Sequence, residues 1–241
     1  MGDGIGYIEL VDHMGTDITH VNAARASFNK KVEEMGPGDP RLIDFPVRKE
    51  HWAPLAHAQL HFRVKGTISL HREWVTHNVG VINSSESTRY VDVVPEFYIP
   101  LMIRSKVSDK KQGSGEPLSG VREGIAKSTM LLAYDDAWMR YRALIDNGVA
   151  NEVARDVLPL GTYMTWVCTM SLYAAHNLYR LRTGEGAQKE IGWYAEALGQ
   201  LVQPLFPVAW ESMRLHDEIQ PRNTVSTLVT SLLNLWNRST I

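Results

Sequence analysis

The stretch SLHREWVTHNVGVINSSESTRYVDVVPEFYIP, residues 69–100, decides how the chain is read. Ile68, just before it, falls with His71, Arg72 and Val75 at helical spacings, which predicts a short helix to about Asn78. A polar cluster from Asn83 to Tyr90 has no apolar period, and beyond it the pattern emerges as a strand. Hydroxyls closing on an arginine suit a phosphate: Ser87 and Thr88 donate hydrogen bonds, and Arg89 offers a planar fork to two oxygens. The same composition also describes a solvated turn, so residue types alone leave both readings open.

Working outward, residues 7–14 alternate as a strand ended by Gly15, and 17–28 read as a short helix with Asp17 or Thr19 as N-cap. Pro37, Gly38, Pro40 and Pro46 mark a loop. Residues 57–65 alternate with Ala58, Leu60, Phe62 and Val64 on one face, a second strand. Residues 105–120 are charged and Gly/Ser-rich, an exposed loop or a lid inserted in the domain. The remainder reads as helices over 121–147, 150–158, 162–182, 186–202, 207–215 and 223–236, with Gly148, Pro159 and Gly184 as stops. The last is apolar over a broad face, suited to the chain's own body or to a neighbouring subunit. A strand-bearing N-terminal half with a mixed or antiparallel sheet, packed with a helical C-terminal half in one domain over 1–241, gives an α+β class.

The 241 residues carry a net charge of −2, which argues against a general nucleic-acid binder but leaves room for a basic pocket. The single cysteine, Cys168, excludes an intrachain disulfide, and its apolar setting predicts an inert buried thiol. No apolar run reaches spanning length and the N-terminus has no signal-peptide pattern, so a cytoplasmic protein away from membranes is expected.

Among chemistry-bearing residues, Arg155 lies on an apolar helix, and the residue four positions before it, Asn151, is neutral. Its partner is therefore a distant carboxylate or a bound phosphate. Arg182, near a helix C-terminus, either complements the helix dipole or has a functional role. His51, His57, His61, His71 and His77 crowd one region without metal spacing, so no metal is expected. There is no G-x-S-x-G elbow around Ser87 and no G-x-G-x-x-G after the first strand.

Taken together, several segments resemble the flavin-dependent thymidylate synthases. Arg72-Glu73-Trp74-Val75-Thr76-His77-Asn78 followed by Ser87-Thr88-Arg89-Tyr90 matches that family's R-x-W-x-R-H-R and S-x-R-Y. Ile8–Gly15, Ala23–Phe28, His51–His57, Glu96–Pro100, Glu152–Leu160 and Ala187–Ile191 match in the family's order, over roughly residues 6–213. The resemblance implies an enzyme that reduces FAD with NADPH and uses methylenetetrahydrofolate to methylate C5 of dUMP, as a homotetramer with shared active sites. It places Ser87, Thr88 and Arg89 at the nucleotide phosphate, completed by Arg155 from another subunit. Glu73 replaces a Gln that assists there. Arg182 meets the uracil edge as the catalytic residue, where a guanidinium stabilises charge on the ring oxygens. His51, Thr76, His77, Asn78, Ser171 and Asn177 fall at the flavin site.

The chain also departs from the family. Both arginines of R-H-R are replaced, by Thr76 and Asn78; an acid after the signature asparagine becomes Ser84 or Ser85, with Glu86 displaced by an insertion; Ser171 and Tyr173 replace an N-x-R pair. Each lost guanidinium removes charge-assisted bonds worth about 1.5–3 kcal/mol, so weaker flavin binding is expected. The altered loop borders the sugar, and in this the chain is similar to the branch that methylates UMP as well as dUMP for polyoxin-type antibiotics. Alternatives are a pyrimidine nucleotide C5-hydroxymethylase and a catalytically impaired nucleotide-binding relative.

Overall fold

The computed structural model describes residues 3–86, 94–107 and 113–219. Among these residues the chain comprises two compact units, one within 3–14 and 58–201, the other of Gly15–His57 and 202–219.

The first unit is built on a four-stranded antiparallel sheet in the order β1-β2-β4-β3, of β1 (Tyr7–Met14), β2 (Gln59–Thr67), β3 (Val81–Ser85) and β4 (Tyr163–Ser171). Register runs Tyr7↔Lys65 between β1 and β2, Phe62↔Cys168 between β2 and β4, and Val81↔Met170 between β3 and β4. Leu60, Phe62 and Val64 alternate into the core, as the period-two pattern requires. Across from them Trp166, Cys168 and Met170 do the same. Cys168 is 1% exposed and desolvation pushes its thiol up to about 12, which leaves it unreactive at neutral pH.

Each central strand passes directly into a helix through a hydroxyl cap. Thr67 Oγ1 accepts from the Leu70 N–H at the start of α3 (Ile68–Trp74), and Ser171 Oγ accepts from the Ala174 N–H at the start of α6 (Leu172–Thr183). Trp74, fully buried, returns edge-on to Trp166 at 5.7 Å and seats α3 on the sheet. Between the strands run α4 (Gly120–Asp146), α5 (Asn151–Ala154) with a 3-10 turn over Arg155–Val157, and later α7 (Lys189–Val202). α4 buries only Tyr141 and leaves Ile125, Leu131, Leu132 and Met139 exposed. Gly148 stops it at φ +78°, where a Cβ would be strained.

The second unit packs α1 (Asp17–Arg25), α2 (Asp39–Arg48) and α8 (Pro207–Ile219) around Val21, Ile43, Leu55, Phe206 and Trp210. Asp17, itself nearly buried, accepts from the N–H groups of Val208 and Ala209 at 2.9 Å and caps α8. Asp39 is held by the Arg25 guanidinium and by the Gly36 N–H.

The structure corrects several expectations. Residues 162–182 form a strand and then a helix, so the sheet draws its second central strand from the C-terminal half. β4 alternates in burial, with Trp166, Cys168 and Met170 inward, but the apolar Met164 and Val167 on its partly exposed face blur the period-two pattern in sequence. The proline-marked loop contains α2: Pro40 sits in the first turn, where a missing N–H costs nothing, and Pro46 is accommodated near its end. Thr16, not Asp17 or Thr19, is the N-cap of α1. Part of the polar cluster, Asn83–Ser85, is itself strand. The expected 223–236 helix lies outside the described residues, and part of the 105–120 loop does too. No helix among the described residues is long and apolar enough to cross a membrane.

Removal of the Asp17 carboxylate strips the first turn of α8 of its cap. Asp17→Ala is expected to lower stability by about 2 kcal/mol, read as a lower urea midpoint.

Candidate functional site

Two polar constellations stand on the first unit. One gathers around Arg182 near the end of α6. Its Nε donates to His77 Nε2 at 2.8 Å, its Nη2 donates to Thr76 Oγ1 at 3.3 Å, and its Nη1 lies 3.6 Å from Glu73 Oε2. Glu73 belongs to α3 and Thr76 and His77 to the turn that follows, so the two helices launched from neighbouring strands converge here. The bond fixes chemistry: an imidazole nitrogen that accepts from a guanidinium carries no proton, so Nε2 is bare and the neutral ring bears its proton on Nδ1. Desolvation, and then the Arg182 charge, hold the His77 pKa below its ordinary value. Glu73 is pushed the other way, upward, by desolvation; Arg182 opposes the shift and the nearby Glu190 carboxylate adds to it. Arg182 is a quarter exposed, leaving its fork open to a ligand.

The second constellation is a cavity of about 590 Å³ between the end of β3, α4 and the Arg155 turn. Its walls include Arg155, Lys65, His71, Glu86, Trp138 and Tyr141. Trp138 and Tyr141 stack at 5.4 Å, a flat aromatic wall. His71 lies edge-on to Trp166 at 4.9 Å, and its buried Nε2 has no hydrogen-bond partner among the described residues. Ser85 and Glu86 bring the chain to this cavity immediately before Ser87. Arg155 thus lines the same cavity as Ser85 and Glu86 of its own chain. Arg182 and Glu73 are not among the cavity's lining residues.

Glu86 ends the sheet in an unusual way. Its N–H donates to Thr165 O at 2.8 Å, but the return bond, from Thr165 N–H at 3.0 Å, goes to its carboxylate instead of its own carbonyl. The side chain thus closes the last rung and frees the backbone to leave the sheet at the cavity. The displaced acid is engaged in structure.

Of the other expected site residues, Ser87, Thr88 and Arg89 lie outside the described residues. Asn78 is exposed beyond His77, and Asn177 Oδ1 accepts from Arg180 at 2.9 Å. Ser171 is 5% exposed and its hydroxyl accepts from the Ala174 N–H as the α6 cap. His51 belongs to the second unit, exposed and edge-on to Phe45 at 6.4 Å. A flavin ring presents carbonyl acceptors, and the Asn78 amide, the His77 Nδ1 proton and the Arg182 fork match that chemistry, while the Thr76 hydroxyl donates to the Glu73 carbonyl at 2.6 Å. The aromatic wall of Trp138 and Tyr141 went unread because in sequence it merges with a long amphipathic helix. Its one signal is the aromatic pair at i, i+3.

Comparison with known proteins gives the following. The family of the thymidylate synthase complementing protein (Thy1) matches residues 9–208. A flavin-dependent thymidylate synthase of Thermus thermophilus is 34% identical over 211 residues, covering 88% of this chain and 76% of the relative. One from Treponema denticola is 33% identical over 216 residues, covering 88% and 80%. Among solved structures, the UMP/dUMP methylase PolB of Streptomyces cacaoi bound with 5-Br dUMP aligns with TM-score 0.77 at 29% identity, over 87% of this chain and 95% of that one. Its complex with 5-Br UMP aligns at 0.78 and 28%, over 88% and 94%.

Glu86→Ala deletes the acceptor that protects the Thr165 amide, whereas Glu86→Gln keeps an oxygen in place. Hydrogen exchange at Thr165 is expected to quicken about tenfold in the alanine variant and little in the glutamine variant.

Proposed function

The chain belongs to the flavin-dependent thymidylate synthase family, and on that footing we propose that it methylates C5 of a uridine monophosphate, UMP, dUMP or both. The observation that carries this reading is the bonding of Arg182 to His77 and Thr76, with Glu73 beside it. A guanidinium suited to the pyrimidine edge is thereby set against residues suited to a flavin. Arg182 would bind the uracil carbonyl oxygens and stabilise the negative charge that develops there as C5 attacks the one-carbon unit. His77, a proton acceptor at Nε2, holds that fork in orientation. Thr76, His77 and Asn78 would hold FAD, which when bound supplies the two electrons that reduce the transferred methylene to methyl, with NADPH as the source of reducing equivalents. The carbon comes from methylenetetrahydrofolate, and the C5 hydrogen leaves as a proton.

The Arg155 side of the cavity suits the phosphate of the nucleotide, Lys65 being paired with Glu96, with Ser87, Thr88 and Arg89 as further phosphate ligands by family resemblance and Trp138 available for stacking. Its separation from Arg182 supports a site completed between copies in a homotetramer. The exposed apolar residues of α4 support the same arrangement. PolB, which acts on UMP and dUMP by its name, supports tolerance of both sugars.

Incubation with FAD followed by desalting is expected to leave a yellow protein. With methylenetetrahydrofolate and NADPH it should release tritium from C5-labelled UMP and dUMP. Arg182→Ala is expected to abolish release, by a factor of at least about 10², and Arg155→Ala to raise the nucleotide KM with kcat retained. A colourless protein that releases no tritium from either nucleotide overturns the assignment and favours a catalytically impaired relative.

A further inference from the structure

A buried ion pair lies behind the Arg182 cluster. Glu190, in the first turn of α7 and 6% exposed, accepts from Arg104 Nη2 at 2.7 and 2.9 Å through both of its oxygens. The Tyr98 hydroxyl donates to the same carboxylate at 3.4 Å. Such pairs rarely repay their desolvation in stability, and apolar substitutes often do as well or better. Their retention here has a geometric counterpart. Two residues on, Gly192 lets α7 press against the Arg182 carbonyl, so closely that a Cβ would lie 3.1 Å from it. The Glu190 carboxylate also lies near enough to Glu73 to oppose its ionisation.

We propose that Arg104 and Glu190 are positioning residues for Arg182: the pair fixes the first turn of α7 behind the end of α6 and places a carboxylate beside Glu73, which sets how firmly Glu73 holds the Arg182 guanidinium. The proposal rests on the uridylate reading only for what Arg182 does. The titratable groups facing Glu73 are Arg182 from α6 and Glu190 from α7, and those facing Glu190 are Arg104, Glu73 and the neutral Tyr98 hydroxyl. Arg104 keeps Glu190 ionised despite burial, holding its pKa below the ordinary carboxylate value against desolvation. An ionised Glu190 in turn favours the protonated form of Glu73. Loss of the Glu190 charge therefore lets Glu73 ionise at lower pH and keep its grip on Arg182 further into the acid range.

The test is Glu190→Gln, which preserves shape and hydrogen bonding and deletes the charge. Two quantities are followed against pH: the Glu73 side-chain carbon resonance in protein labelled with 13C-glutamate, assigned with Glu73→Gln, and the affinity for dUMP alone. Glu190→Gln is expected to move the Glu73 titration to lower pH and to tighten dUMP binding at the acid end roughly two- to fivefold. Arg104→Lys, which keeps the charge but moves the nitrogen that meets both Glu190 oxygens, is expected to lower the thermal midpoint while leaving the Glu73 titration near its wild-type position. Superposable Glu73 titrations in wild type and Glu190→Gln overturn the proposal, as does a moved titration with an unmoved dUMP profile. A wild-type protein that binds neither UMP nor dUMP overturns the uridylate reading instead, and leaves the positioning pair to be judged on the Glu73 resonance.

Discussion

The hydrogen bond from Arg182 Nε to His77 Nε2 is the contact on which the rest of the arrangement depends. It joins the end of α6 to the turn after α3, and so ties together two helices that leave neighbouring strands of one sheet. It also decides protonation, because a guanidinium donates only to a bare nitrogen. The half-buried imidazole is thereby kept neutral while a fixed positive charge is presented to whatever binds beside it. Glu73 and Thr76 complete the hold, and the remaining exposure of Arg182 marks where a ligand would engage it.

The scaffold explains how these groups come to meet. Thr67 and Ser171 turn β2 and β4 into helices with the same device, a hydroxyl at the first unpaired N–H groups. Trp74 and Trp166 then lock α3 onto the sheet. At the other strand, Glu86 uses its side chain to close the final rung with the Thr165 N–H. A family defined by motifs thus keeps its spacing in this chain while individual side chains do structural work: Glu86 closes the last rung of the sheet and Ser171 caps a helix.

What could be read from sequence follows physical lines. β1 and the buried face of β2 were legible because one side of each alternates, and α4 was legible because length and Gly148 delimit it. β4 was not, since Met164 and Val167 on its partly exposed face blur the alternation of Trp166, Cys168 and Met170, and its junction with α6 at Ser171 carries no glycine or proline. α2 was hidden by prolines that a helix tolerates near its ends. β3 was hidden because its polar residues, with Ile82 largely exposed, resemble a turn. Glu73, Thr76, His77 and Arg182 were found through family motifs, but their mutual bonding was not, because it depends on α3 and α6 converging across more than a hundred residues of chain. The aromatic wall of the cavity and the Arg104–Glu190 pair had no sequence signal that separates them from ordinary packing.

The central claim is that Arg182 brings a pyrimidine nucleotide against a flavin held by its neighbours. The most direct measurement is the visible absorption spectrum of the flavin-loaded protein during titration with UMP and dUMP. The account predicts a saturable perturbation of the flavin bands by at least one nucleotide, lost when His77 is replaced by alanine. Saturable nucleotide binding that leaves the flavin spectrum unchanged would contradict it.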